Sequence, residues 1–437
     1  MRAHSDGRPL SAAWVSRRAH RATGILAALV HTLALGGCGS SDDSAPPAAT
    51  PPASEIAPVE AQSVEELRAL GYLDFSESLV DADAPAVVLY DPVDSFPGYN
   101  LISNRALGSA TLFDASGEVV HTWQVEDIEH WANAELLENG DLLVSGGKGA
   151  GGVGYLIRLR WDGSERWRAR INSHHDAEEL SDGRIAALAR SKRSIPALSD
   201  VKVKDNRIVI LDAAGNVLEE ASIYDLLNSD RAAFQFQTID RMLETKLTVL
   251  DLLHTNSIEF MRQPESAPPG PLYSPDNVLI SIRHQDTVAI VDWKKKQLLW
   301  AWGQGEVSGQ HDATLLDNGN LLIFDNGLES GHSRVIELDP HRREIVWQYR
   351  GEPEGFFTLS RGSSQRLPNG NTLVAVSEAG EAFEVTRDGR MVWRFLNPAT
   401  NSEGQRATIV RIKRYPLEMV DAFLARAADD EAPPQGS

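Results

Sequence analysis

A chain of 437 residues with a single cysteine, Cys38, cannot close an internal disulfide, so its fold must rest on packing and hydrogen bonding. Positive charge is also scarce: 42 Lys and Arg stand against 62 Asp and Glu, a formal net charge of −20 at pH 7. The first 37 residues hold five Arg and one Asp, so the remainder is more acidic still. A nucleic-acid partner needs a basic face, and this composition argues against one. Long apolar runs are missing too. The run from Ile25 to Leu35 is too short to span a bilayer comfortably. Hydrophobic residues nevertheless make up 42% of the chain, enough for a sizeable core in one large or two ordinary domains.

The apolar run follows Arg17, Arg18 and Arg21 and ends Leu35-Gly36-Gly37-Cys38, the charged, apolar, small-residue order of a secretory signal over residues 1–37. Leu-Gly-Gly-Cys resembles a bacterial lipobox, which implies cleavage before Cys38, lipidation of its thiol and a membrane anchor. The alternative is a small-residue cleavage site that happens to contain Cys. Ser16-Arg17-Arg18 also reads, on weaker grounds, as a twin-arginine signal. The stretch before it is long for a signal, which raises a start downstream of Met1. The expected destination lies beyond the inner membrane, in the periplasm or anchored to the outer membrane, since Gly39 after Cys38 is not an Asp retention signal. Residues 38–62, rich in Ser, Asp, Pro and Ala, read as a disordered tether. In the N-terminal extension, 63–99, Val64 to Leu73 has the spacing of a short docking helix.

Beyond it the chain is periodic. An apolar segment, a Gly or Asn turn and a second apolar run recur in ELLENGDLLVSG, EELSDGRIAALA, ATLLDNGNLLIFDN and SQRLPNGNTLVAVS, and Asn-Gly between apolar runs is a strong hairpin signal. A second signature, strand, polar turn and strand, closes at Trp123, Trp167, about Glu219, Trp300, Trp347 and Trp393. Four strands in every forty to fifty residues is the pattern of a β-propeller. Six copies predict an all-β, six-bladed propeller over 100–415, with the Trp residues as blade packing. The first blade lacks its innermost strand, which Thr408 to Ile412 could supply. Tyr224 to Leu253 reads as a helical insertion before the fourth blade, Arg262 to Pro275 as a Pro-rich loop, and 416–437 as a short helix, Leu417 to Ala427, with a disordered acidic tail.

Inner strands line a propeller's channel, so residues at one repeat position face it at one depth. Aligning the turns puts Ala132, His175, His311 and Gly362 in register, with His254 at the matching start of the fourth unit. Three imidazoles should converge there. Such histidines could merely bond blade to blade, or form a tris-histidine zinc site with an open position. Arg283 and Asn256 in the same cavity point instead to a compact oxyanion, since Arg offers a charged planar fork and Asn a neutral donor. Arg334 reads as an ion-pairing residue and Ser363 as a strand-start hydroxyl.

His254-Thr255-Asn256-Ser257, Ser281-Ile282-Arg283, Trp302-Gly303, Gln310-His311-Asp312-Ala313, Phe324-Asp325-Asn326-Gly327, Ser333-Arg334 and Leu367-Pro368-Asn369-Gly370-Asn371, in this order, resemble the bacterial arylsulfate sulfotransferases between about His174 and Trp393. The resemblance implies a six-bladed propeller that moves a sulfuryl group from a phenolic sulfate ester to a phenol, with no nucleotide sulfate donor, no cofactor and no metal. It implies that His311 is the nucleophile, forming a sulfo-histidine in a ping-pong reaction. By analogy with phosphoryl transfer, Arg283, His254 and Asn256 would cradle the sulfuryl oxygens, and His175 would protonate the leaving phenolate or join the cradle. Unlike some members, this chain has no second cysteine for a disulfide near the site. An aryl sulfate hydrolase and a non-catalytic envelope scaffold stand as alternatives, and the oligomeric state is not legible.

Overall fold

The computed structural model describes residues 74–81, 84–148, 153–238 and 249–431. Cys38, the tether and the Val64 to Leu73 segment lie outside the described residues. From Tyr99 onward the chain folds into six antiparallel sheets arranged as the blades of a propeller. The innermost strands of blades two to six are His130–Leu136, Ser173–Glu179, Thr255–Phe260, His311–Leu315 and Ser363–Arg366.

Burial explains the composition of each strand type. The middle strands of the fourth blade, Asn277–Ile282 and Thr287–Asp292, are buried along their whole length between neighbouring blades. They therefore read as apolar runs rather than alternations. The outer strand Glu344–Tyr349 alternates exposed and half-buried residues, because only one of its faces meets a neighbour.

Two sets of side chains stitch blade to blade. The indole N–H of Trp167, Trp300, Trp347 and Trp393 each donates to a carbonyl in the outer hairpin of the next blade, those of Ala213, Pro340, Arg387 and Ala115. In the first blade Trp123 makes no such bond, and the His121 ring bonds the Trp161 carbonyl instead. On the channel side, the inner strands of the last three blades and the closing strand are each capped by their predecessor. Asp176 and Glu178 accept from the Ile258 and Phe260 amides, Ser257 and Glu259 from Ala313 and Leu315, Asp312 from Ser364, and Gln365 from Arg414. These carboxylates and hydroxyls answer amides that would otherwise go unpaired inside the molecule.

Ring closure differs in register from the expectation. The strand that completes the first blade is Ile412–Tyr415, paired antiparallel with Tyr99–Asn104, four residues further on than Thr408 to Ile412. The amides of Thr408, Ile409 and Val410 instead bond the carbonyls of Asp74, Ser377 and Ser103, which carries residues 408–411 across the ring before pairing begins. Ser363 Oγ accepts from the Ile412 amide, so this hydroxyl belongs to the closure. In the N-terminal extension, Phe75–Leu79 pairs with Gln405–Ala407, and Val87–Tyr90 adds a fifth strand to the sixth blade.

The insertion before the fourth blade starts as a helix, Ile223–Leu227, with Ser222 as its cap. It is shorter than its spacing suggests: residues 228–238 run as turns and extended chain, and Val249–Leu250 pair in parallel with Lys202 and Val203. Residues 239–248 lie outside the described residues. In the Pro-rich loop, Tyr273 is buried and its hydroxyl donates to the Gly319 carbonyl. The C-terminal helix spans Leu417–Glu431, running into the stretch expected to be a disordered tail, as its alanines favour.

Candidate active site

Where the inner strands begin they depart from regular pairing. Register breaks fall between Trp131 and Asn133, Ser173 and Ala177, Thr255 and Ser257, and His311 and Thr314, all at one repeat position. Within or just ahead of the inner strands' first residues, His175, His254, Asp312 and Arg361 take φ of 57°, 49°, 52° and 59°, a left-handed conformation that costs a non-glycine residue energy. A bulge re-aims the side chains on either side of it, and four in a ring turn theirs toward one place. In the sixth blade Gly362, at φ 101°, fills the position; a Cβ there would lie 2.4 Å from the Phe324 ring.

A small pocket of about 30 Å³ opens at this level, and its lining includes Ala132, His175, Asn256, His311, Gly362 and Arg411. The structure thus brings together the four residues that the turn alignment put in register. His254 and Arg283 adjoin this lining. The His254 ring centre is 5.2 Å from that of His175, and Arg283 is close enough for its charge to act on His311.

His311 is buried, and its Nδ1 lies 2.7 Å from Asn326 Oδ1 and 3.0 Å from the Gly309 carbonyl. The Asn326 amide cannot be turned round, because its Nδ2 donates to the carbonyls of Thr358 and Arg361, at 2.9 and 2.8 Å. Both neighbours of Nδ1 are therefore acceptors. The ring carries its proton on Nδ1 and leaves the Nε2 lone pair free. Burial, then the Arg283 charge, holds this imidazole well below its ordinary pKa. It is neutral at pH 7. Burial, then His174, does the same for His175.

His254 has a different partner. Its Nδ1 is 2.9 Å from Asp251 Oδ2, and its own amide donates to Asp251 Oδ1. Burial lowers its pKa, and the carboxylate opposes that shift. The Asp251 carboxylate also receives Lys204 Nζ at 2.5 Å, and the Asp251 carbonyl lies 2.7 Å from His284 Nδ1. His284 Nε2 in turn is 3.0 Å from Arg283 Nη1, while Arg283 Nη2 donates to the Leu359 carbonyl at 3.2 Å. Asn256 spends one amide hydrogen on the Gln310 carbonyl at 2.8 Å.

Four contributors escaped sequence reasoning in different ways. Arg411 bridges Asp176 Oδ1 and Asp312 Oδ1, at 2.8 and 2.9 Å, the acids that directly follow His175 and His311. It lies in the aperiodic run before the closing strand, and only correct placement of that strand could have pointed to it. Asp251 lies in the insertion and His284 in a turn, outside the repeat. Asn326 stood within a quoted motif, but its role follows only from the fold. Arg334, as expected, pairs with Asp325 at 2.8 Å.

A metal has a poor claim on this site. Asp251, His254 and His284 bring ligand atoms within 4.8 Å of one another, yet Lys204 sits on the carboxylate and Arg283 on His284 Nε2. Two of the needed lone pairs already face cations.

Among solved structures, the fold is similar to that of a protein of unknown function from Bacteroides caccae, at 16% identity and a TM-score of 0.49, covering 73% of this chain and 99% of that one. It is also similar to a functionally unknown protein from Desulfotomaculum acetoxidans, at 9% identity and a TM-score of 0.42, covering 73% and 99%. A streptogramin B lyase matches at 11% identity and a TM-score of 0.42, covering 78% and 97%. No curated protein matches the chain. The family model described as arylsulfotransferase (ASST) matches residues 133–398, a span holding His175, His254, Asn256, Arg283 and His311. The chain belongs to the arylsulfotransferase family.

Proposed function

We propose that the protein transfers a sulfuryl group from a phenolic sulfate ester to a phenol through a sulfo-histidine on His311. The observation that carries this reading is the hydrogen bonding of that ring: two acceptors claim Nδ1, and burial beside Arg283 keeps the imidazole uncharged. A neutral imidazole with a free Nε2 is a nucleophile at neutral pH. Its attack on sulfur breaks the bond to the aryl oxygen and stores the group on nitrogen, and a phenol then reverses the step. Charge developing on the sulfuryl oxygens falls to Arg283, whose fork is pre-aimed by His284 and Leu359, and to Asn256 on the pocket wall. His175 lines the same wall and joins this cradle. The lipobox at Cys38 supports a place on the envelope, anchored by lipid, where small phenols are accessible without a nucleotide donor.

The test is incubation of the purified protein with 4-nitrophenyl sulfate, with and without phenol. Release of 4-nitrophenol that depends on phenol and yields phenyl sulfate is expected. Equal release without phenol would make the protein a hydrolase, and none with any acceptor would remove the catalytic reading for this donor.

A further inference from the structure

One densely bonded group near the pocket, Asp251, has no part in the transfer reaction as described. Asp251 stands at the end of the insertion, held there because Val249 and Leu250 just before it pair with Lys202 and Val203. Its carboxylate takes His254 Nδ1, the His254 amide and Lys204 Nζ; its carbonyl takes His284 Nδ1. Through those contacts one residue holds His254 directly and reaches Arg283 by way of His284. A carboxylate on Nδ1–H fixes the imidazole tautomer and turns Nε2 outward, and 23% of the His254 side chain remains exposed. His311, by contrast, is backed by a neutral amide, whose pull on a proton is outweighed by burial and the Arg283 charge. Of the two rings, only His254 is built to be charged and discharged.

We propose that Asp251 is a positioning residue: its carboxylate sets His254 to carry the phenolic proton, and its carbonyl, through His284, aims Arg283. The inference rests on the sulfotransferase reading and adds to it the route of the proton. In the first half-reaction the S–N bond to His311 Nε2 forms as the S–O bond to the aryl group breaks, and the departing oxygen takes a proton from His254 Nε2. In the second, the acceptor phenol gives its proton to His254 Nε2 as its oxygen attacks sulfur and the S–N bond breaks. The anionic donor itself promotes protonation of His254 before the first step, against the burial that lowers its affinity for protons.

Leaving-group dependence tests this directly. With wild-type protein and a phenol acceptor, kcat/KM is measured for 4-nitrophenyl sulfate, whose phenolate leaves readily, and for phenyl sulfate, whose oxygen needs a proton. Asp251→Asn should lower the phenyl sulfate value roughly a hundredfold, the scale of one proton-transfer group, and leave the 4-nitrophenyl value within several-fold. Equal losses for the two donors would overturn the inference while leaving the transfer reading intact. A wild-type protein that transfers from neither ester would sink that reading itself. Lys204→Met gives a second arm should Asp251→Asn not fold, because it frees the carboxylate for His254 alone. Its discrimination between donors should be no steeper than wild type; a loss confined to phenyl sulfate would contradict the assignment.

Discussion

His311 and His254 are the same residue type, one opening an inner strand and the other just ahead of one, with opposite surroundings. Asn326 backs the first and Asp251 the second, and in the proposed reaction that difference separates a nucleophile from a proton carrier. Arg283 sharpens it, because its charge is the largest influence after burial on the His311 pKa. The sign is plain: a nearby cation disfavours a protonated ring, so the cation holds the pKa down. Arg283→Met should therefore raise it and move the acid limb of the pH profile of kcat/KM to higher pH. The same change should cost about 10²–10³-fold at pH values above both acid limbs, where His311 is neutral in either protein, through lost stabilisation of the sulfuryl charge. A profile whose acid limb stays in place would show that the guanidinium does not govern this ring.

At the scale of elements, the outer strands are held to their neighbours by indoles that bond across the blade boundary. Trp300 donates to the Pro340 carbonyl and is itself 8% exposed. Trp300→Phe keeps an aromatic ring and removes the donor, so it should lower stability by about 1–3 kcal/mol, read from the midpoint of denaturant unfolding. Aryl transfer at saturating donor should be unchanged. The repeat itself was legible in the sequence because the blades share one burial pattern, with apolar middle strands, recurrent Asn-Gly or Asp-Gly turns and, in all but the third, a closing Trp. The register of His175 and His311 followed, since the start of an inner strand is a fixed place in each repeat; in the fourth blade that place holds Asn256, with His254 two residues ahead of it. What lay outside the repeat was not legible. Asp251 is brought in by a two-residue pairing at the end of an insertion, and the four-residue offset of the closing strand came from amides of 408–410 that bond elsewhere before the strand begins.

For the whole molecule, closure and site are one event. The segment that completes the first blade first lays Arg411 between Asp176 and Asp312, so the last strand of the ring neutralises two buried acids beside the pocket. Burial pushes Asp312 upward, and Arg411 opposes that shift. Arg411→Met would strand both carboxylates and should destabilise the propeller by about 3–5 kcal/mol in chemical denaturation. Adding Asp176→Asn and Asp312→Asn should recover much of that loss, since the amide oxygens can still accept from Ile258 and Ser364. If the triple variant were no more stable than Arg411→Met alone, the charge account of closure would be wrong. The central claim, that the three-histidine ring exists to make His311 a sulfuryl carrier, meets its most direct test in donor without acceptor. After incubation with 4-nitrophenyl sulfate alone, peptide mapping at alkaline pH should find one sulfuryl group per chain on the peptide bearing His311. The label should disappear on adding phenol and be absent from His311→Ala. A label on another residue, or turnover by His311→Ala at the wild-type rate, would contradict it.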